Sequence, residues 1–191
     1  MLTGSAKTRS GFGLLSTFDH DGRRFGLTTD LSVLPLDRTR VVKPSSFSGL
    51  RLEGDETLPV VFVRSRHAAR MLREGNAVRR GEPLAHREAI PVERAMVRLG
   101  GVDYHVAKKG FLVRADQSVR VNPPDNLPTW AKGSRRWIDV SILKQSLVAY
   151  EGDAPVYAAL VSTGIPSRDG AADYETVQGA FRVQQKHVAT T

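Results

Sequence analysis

The chain contains no cysteine among its 191 residues. This absence excludes disulfide bonds, thiolate metal sites and cysteine nucleophiles within the sequence. No apolar run approaches the ~18 residues that a membrane-spanning helix needs, so we expect no membrane span. Residues 1–10 carry two basic residues with no apolar stretch after them, and they do not form a secretory signal as they stand.

Histidines are few and scattered. They are His20, His67, His86, His105 and His187. No two of them have the spacing that places two imidazoles on one metal ion. We therefore expect no metal site and no cofactor.

Acidic residues are outnumbered, since 28 Lys and Arg stand against 20 Asp and Glu and give a formal net charge of +8. This charge favours polyanions such as nucleic acid, anionic lipid or the anionic polymers of a cell envelope. The densest basic positions are Arg64, Arg66, Arg70, Arg73, Arg79 and Arg80. They lack the basic helix with interleaved aromatics that is typical of nucleic-acid binding, so a solvated surface is the simpler interpretation and we expect no nucleic-acid partner.

Strand-like segments dominate the chain. Residues 58–63 form a compact apolar, β-branched run, and residues 88–99 are rich in apolar side chains without a helical period. Gly, Pro, Asp and Asn separate such runs, which predicts a mainly β protein. The best helix candidate is Ser65–Arg73, where good helix formers precede a possible stop at Gly75.

A weak internal sequence repeat is present before residue 121. Asp21-Gly22 leads to Phe25, and Gly100-Gly101 leads to Tyr104; an aspartate follows each aromatic residue twelve positions later. Each copy has the pattern of a turn, an aromatic strand, a second turn and a further strand. A true repeat predicts two small β modules that loosely resemble bacterial Src-homology-like barrels, with both aromatic rings buried. The alternative is that the similarity between the two segments arose by chance.

Proline indicates a boundary after these segments. Residues 121–128 contain three prolines and two asparagines, which exclude a helix or a central strand. We therefore predict three parts: an amino-terminal β region over 1–121 with modules at about 11–60 and 88–121, a proline-rich linker over 122–134, and a second domain over 135–191.

Three strands are predicted after the linker, at residues 137–142, 147–150 and 156–161. In the first strand Ile138, Val140 and Ile142 point one way, whereas Trp137, Asp139 and Ser141 point the other. This alternation predicts a half-buried strand with its aliphatic face inward. Turns at 144–146 and 151–153 separate the strands. Short connections between sequential strands favour an antiparallel meander.

These strands carry a series of motifs: Trp137-Ile-Asp-Val, Gln145-Ser-Leu-Val-Ala-Tyr-Glu-Gly, Pro155-Val-Tyr, Val161-Ser-Thr-Gly and Thr176-Val-Gln-Gly-Ala-Phe. The series resembles the opening of the L,D-transpeptidase catalytic domain, the YkuD-type family, with Val177 where that family usually has proline. The motif positions, which we expect to be structural, are Trp137, Asp139, Gln145, Tyr150, Gly152, Ser162, Thr163, Gly164, Thr176, Gly179 and Phe181. Ser162 is not in a Gly-x-Ser-x-Gly elbow, so a nucleophilic role is not expected.

The resemblance implies a β-sandwich domain that acts on peptidoglycan. Family members transfer an acyl group from a tetrapeptide stem to an amine through a cysteine thioester, in the cell envelope or periplasm. Their Cys and its His base lie in a downstream block that this sequence does not contain. We therefore expect a fragment with no catalytic residue of its own, inactive alone, whose partners are peptidoglycan stem peptides and anionic envelope polymers. Two alternatives stay open: a non-catalytic cell-wall binding β module and a basic nucleic-acid-binding β protein.

Overall fold

The structure is a computed structural model that describes residues 10–43, 45–54, 56–164 and 175–185. It is mainly β, as the sequence predicts. Three antiparallel sheets and one short 3-10 turn at Ala115–Gln117 make up its regular structure, and the described residues contain no α-helix. Contacts divide the chain into two compact units, residues 1–45 with 178–191 and residues 46–177.

The first unit contains a three-stranded meander of β1 (Leu14–His20), β2 (Arg23–Thr28) and β3 (Val33–Pro35). Asp21 and Gly22 both have positive φ, which is the geometry of a tight two-residue hairpin turn. Phe18 pairs across the hairpin with Phe25, and their rings stack with centroids 5.7 Å apart. Every residue of β1 is nevertheless exposed, so this sheet has little core of its own.

The second unit contains two sheets. The seven-stranded sheet has the order β11-β5-β8-β9-β10-β6-β7, and the four-stranded sheet has the order β12-β13-β14-β4. The strands are β4 (Leu50–Arg51), β5 (Val60–Val63), β6 (Ala69–Glu74), β7 (Ala77–Pro83), β8 (Ala89–Leu99), β9 (Val102–Ala107), β10 (Leu112–Arg114), β11 (Ser118–Val121), β12 (Arg136–Ser141), β13 (Ser146–Glu151) and β14 (Ala154–Leu160).

Strand β5 contributes side chains to both hydrophobic clusters of this unit. The first cluster consists of Val61, Val63, Ala68, Leu84, Ile90, Val92, Ala107, Phe111 and Val113. The second consists of Leu52, Leu58, Val60, Phe62, Val121, Val148, Tyr150 and Ala158. Successive side chains of a strand point to opposite faces, so the β5 residues enter the two clusters alternately. Burial on both faces explains why its sequence is uninterruptedly apolar.

Arg120 on β11 holds an irregular part of β8. The register of β8 against β9 shifts between Val92 and Met96. Within that shift Arg120 donates hydrogen bonds to the carbonyl oxygens of Glu93 at 3.0 Å and Arg94 at 2.8 Å. The guanidinium therefore supplies donors to carbonyls at the bulge in the strand ladder.

The carboxy-terminal meander is confirmed, since β12, β13 and β14 are successive antiparallel strands. The predicted direction of β12 is wrong. Ile138 and Val140 are 54% and 43% exposed, whereas Trp137 on the opposite face packs against the second cluster. Period-two alternation separates the two faces of a strand but does not determine which face finds a neighbour. On the opposite face Trp137 and Ser141 are half-buried, whereas Asp139 between them is exposed.

The predicted helix at Ser65–Arg73 is also wrong. The segment enters strand β6 at Ala69, and β6 pairs with β7 around a turn at Gly75 and Asn76. Gly75 has positive φ, so it starts a hairpin turn and does not stop a helix. Leu72 packs against the first cluster, and this contact outweighs the helix propensity of the segment.

Both copies of the weak sequence repeat form meanders with matching registers. Phe25 pairs with Phe18 and Pro35, and Tyr104 pairs with Val97 and Arg114, so the offsets along the chain are the same. Tyr104 is buried as expected, but Phe25 is only half-buried. Strands β9 and β10 belong to the seven-stranded sheet. The likeness of either segment to a Src-homology-like barrel remains a prediction.

Residues 122–134 contain turns and extended backbone without a helix or strand. The strand before them and the strands after them contribute to one cluster, in which Val121 lies with Val148 and Tyr150. The domain division at this segment stays a prediction.

Candidate functional site

An aromatic stack organises the start of the carboxy-terminal meander. Trp137 on β12 and Tyr150 on β13 are cross-strand partners, and their rings stack with centroids 4.1 Å apart and an interplanar angle of 9°. Trp130 packs edge-on against Trp137 at 5.5 Å. The indole Nε1 of Trp137 donates a hydrogen bond to the Gly152 carbonyl at 2.7 Å. The stack therefore ties β12 to the turn between β13 and β14.

Gly152 occupies a position that excludes other residues. Its φ of +62° lies in the left-handed region, and a Cβ there would stand 2.2 Å from the Gly133 carbonyl oxygen. Its N–H donates to the Arg135 carbonyl at 2.8 Å. The turn and the segment after the prolines are thus in direct backbone contact.

Gln145 connects the turn after β12 to the Ser-Thr-Gly motif after β14. Its side-chain oxygen accepts a hydrogen bond from the Thr163 N–H at 2.8 Å, and its amide donates to the Ile142 carbonyl at 2.6 Å and to the Thr163 hydroxyl. Its own backbone carbonyl accepts from the Val161 N–H at 2.9 Å. One side chain therefore fixes two segments that are 18 residues apart.

Thr176 extends this connection. Its hydroxyl accepts a hydrogen bond from the Gly164 N–H at 2.8 Å. Motif residues Gln145, Thr163, Gly164 and Thr176 therefore form one continuous set of contacts, which we call the Gln145 node. They come from three separate parts of the motif series.

The remaining motif residues are placed elsewhere. Gly179 and Phe181 belong to the other compact unit, and the Phe181 ring is 72% exposed. Ser162 is exposed, and its hydroxyl makes no hydrogen bond within the part of the chain that the structure describes. His187 lies outside the described residues.

A polar cleft lies where the proline-rich segment meets β12 and β13, and sequence reasoning missed it. Its volume is about 220 Å³. The lining residues are Val121, Asn122, Pro123, Pro124, Asp125, Asp139, Ser141, Lys144, Ser146 and Val148. Asp139 and Ser141 lie on the same face of β12 as Trp137, because successive residues of a strand alternate between its faces. That alternation, matched by Ser146 and Val148 on β13, was the available signal.

Several polar groups of the cleft have no partner within the described residues. Asp125, Asp139 and Lys144 form no ion pair there, although seven arginine–carboxylate pairs occur elsewhere in the same residues. Ser146 is 3% exposed, and its hydroxyl makes no hydrogen bond in the same residues. Burial and the Asp139 charge raise the pKa of Tyr150 to about 12, so the phenol is neutral at physiological pH.

The described residues contain no group of three or more His, Asp or Glu side chains placed to hold a metal ion. No helix among them is long and apolar enough to cross a membrane. Comparisons with protein-family models, with curated proteins and with solved structures find no match to the chain.

Proposed function

We propose that the chain is the amino-terminal part of a peptidoglycan L,D-transpeptidase of the cell envelope or periplasm. In the parent protein an acyl group would pass from a tetrapeptide stem to an amine through a cysteine thioester. The partners would be peptidoglycan stem peptides and, through the net charge of +8, anionic envelope polymers.

The observation that carries the proposal is the Gln145 node. The hairpin of β13 and β14 already places Gln145 beside residues 161–163, so the contact that the hairpin does not require is the one from Thr176, the most distant motif residue of the node. Gln145, Thr163, Gly164 and Thr176 are linked by hydrogen bonds. A shared structural role for these positions supports the family interpretation, since loop segments held by side chains can present functional groups at defined places.

The chemistry explains why activity is not expected from this chain alone. Acyl transfer through a covalent intermediate needs a nucleophile, a base within hydrogen-bond reach and donors for the developing oxyanion. The chain has no thiol. Ser162 has no hydrogen-bonded base within the described residues, so it does not replace the thiol.

The test is to compare the 191-residue chain with a version extended through the downstream coding sequence. Both are incubated with a tetrapeptide stem, and release of the terminal D-alanine is measured by mass spectrometry. We expect no turnover by the 191-residue chain and turnover by the extended chain. Replacing the new cysteine with alanine should remove turnover and leave the circular dichroism spectrum unchanged.

Turnover by the 191-residue chain would show that catalytic residues lie within this chain and would contradict their proposed downstream position. A downstream sequence without a Ser/Thr-His-Gly-Cys block would reject the transpeptidase proposal.

A second candidate is a non-catalytic cell-wall binding module, which the basic surface near hairpin β6–β7 favours. Arg64, Arg66 and Arg73 are exposed and form no ion pair within the described residues. Binding to purified sacculi, compared with an electrophoretic shift assay on nucleic acid at matched ionic strength, separates this candidate from a nucleic-acid-binding protein. Binding should weaken with added salt in either case.

A further inference from the structure

The polar cleft is built on fixed parts of the structure. Asp139 and Ser146 stand on paired strands β12 and β13, and Lys144 lies in the short turn that joins them. Pro123 and Pro124 line the opposite side, where their rings restrict the backbone. A site on such elements keeps its shape without a ligand.

The hydroxyl of Ser146 is a hydrogen-bonding group that the cleft offers to a ligand. A hydroxyl that lines a cleft and has no protein partner is free to hydrogen-bond to whatever occupies the cleft. Ser146 is 97% buried, lines the cleft and has no partner within the described residues. A ligand in the cleft can supply that partner.

The charges of the cleft define what that ligand carries. Asp125 and Asp139 offer carboxylates, and Lys144 offers an ammonium group; none of the three is paired with a protein group in the described part of the chain. A complementary ligand has an ammonium group for the carboxylates and an oxygen anion for Lys144 and the Ser146 hydroxyl. An α-amino acid carries both groups on one carbon atom.

The size of the cleft sets an upper limit on the ligand. Sites for drug-sized molecules have volumes of about 300–1,000 Å³. At about 220 Å³, this cleft is suited to a single small residue.

We propose that the cleft between residues 121–125 and strands β12–β13 binds the free α-amino-acid head of a ligand, with the ammonium group at Asp125 and Asp139 and the carboxylate at Lys144 and Ser146. The head belongs either to a free amino acid or to a peptide that carries one, such as a γ-glutamyl peptide. The proposal does not depend on the transpeptidase function.

The experiment is an amide chemical-shift titration of the intact 191-residue chain. The probes are glycine and γ-glutamylglycine, and the comparison compounds are glycinamide, which lacks the carboxylate, and N-acetylglycine, which lacks the ammonium group. We expect saturable shifts at Ser141, Ser146 and Val148 with a dissociation constant on the order of 1–10 mM for at least one probe. Each comparison compound should bind about tenfold more weakly.

Variants connect the shifts to the cleft. Asp139→Asn and Lys144→Gln should each weaken binding about tenfold, since each removes one charge-assisted contact. Asp153→Asn and Lys132→Gln are matched controls outside the lining and should leave the dissociation constant unchanged. If Asp139→Asn disturbs the fold, Lys144→Gln carries the test, because Lys144 is an exposed turn residue whose backbone contact to Ser141 is retained.

Binding of glycine alone identifies free amino acids as the source, and binding of γ-glutamylglycine alone identifies a peptide head; either supports the proposal. The absence of saturable shifts with both probes would overturn it. Equal binding of the comparison compounds, or of the Lys144→Gln variant, would show that the cleft does not recognise the two charges.

Discussion

His105 is a buried imidazole that faces a guanidinium group. It is 3% exposed, and its Nδ1 accepts a hydrogen bond from Arg120 at 3.2 Å. Burial and the positive charge of Arg120 lower the pKa of His105 from 6.5 to about 4. Both effects oppose the imidazolium, so His105 is neutral in the folded protein near pH 7 and holds Arg120 in place at the bulge of β8.

We expect this histidine to make the fold sensitive to mild acid. Because the folded pKa lies below the unfolded one, the stabilisation is complete above about pH 6.5 and is lost as the pH falls toward 4. The shift corresponds to about 3 kcal/mol at most. Urea unfolding measures this loss of stability when the wild type is compared with His105→Asn, a variant that keeps an acceptor for Arg120. The variant should have a shallower pH dependence between pH 6.5 and 4, and parallel curves would contradict the assignment.

Gly152 and Gly100 allow a clash to be separated from backbone strain. Both begin two-residue hairpin turns with similar positive φ, +62° and +57°, but a Cβ on Gly100 would meet nothing within 4 Å. We expect Gly100→Ala to destabilise the protein by about 1 kcal/mol. Gly152→Ala should cost at least about 2 kcal/mol more, because the Cβ would displace the Gly133 carbonyl. Thermal unfolding of both variants tests this, and equal losses would mean that strain alone makes Gly152 necessary.

At the scale of elements, the sequence predicts the carboxy-terminal strands well and their environment poorly. Alternation and turn residues such as Gly152 are local signals, so β12 to β14 could be assigned from sequence. Burial depends on which other segment covers a strand. The Trp137 face of β12 is covered in part by Trp130, which belongs to a segment without a helix or strand, and the cleft around Asp139 depends on residues from 121–125.

The same substitution in two strands tests the corrected orientation of β12. Val140→Thr replaces a side chain that is 43% exposed, whereas Val60→Thr places a hydroxyl where the side chain is fully buried. We expect the first to change the free energy of unfolding by no more than about 0.5 kcal/mol. The second should cost about 1–3 kcal/mol, because a buried hydroxyl without a partner is unfavourable. Urea unfolding compares the two, and a large loss from Val140→Thr would restore the orientation that alternation predicts.

At the scale of the whole molecule, the sequence repeat and the proline-rich segment favour a domain division near residue 122. The hydrophobic core does not follow that division. All residues of the two hydrophobic clusters lie within 46–177. The second cluster joins Val60 and Phe62 from before the prolines to Val148 and Tyr150 from after them. Such long-range contacts leave no mark in local composition, so a boundary inferred from proline content cannot detect them.

Two truncations distinguish these divisions. A chain that begins at residue 46 keeps both clusters, and we expect it to unfold cooperatively in urea when followed by circular dichroism. A chain that ends at residue 121 loses Val148, Tyr150 and Ala158 and exposes Val60 and Phe62. Removing such side chains from a core costs roughly 1.5–3 kcal/mol each, a large fraction of the about 5–15 kcal/mol that stabilises a domain. The shorter chain should therefore unfold at much lower urea or aggregate; cooperative unfolding at the midpoint of the full chain would instead establish residues 1–121 as an independent domain.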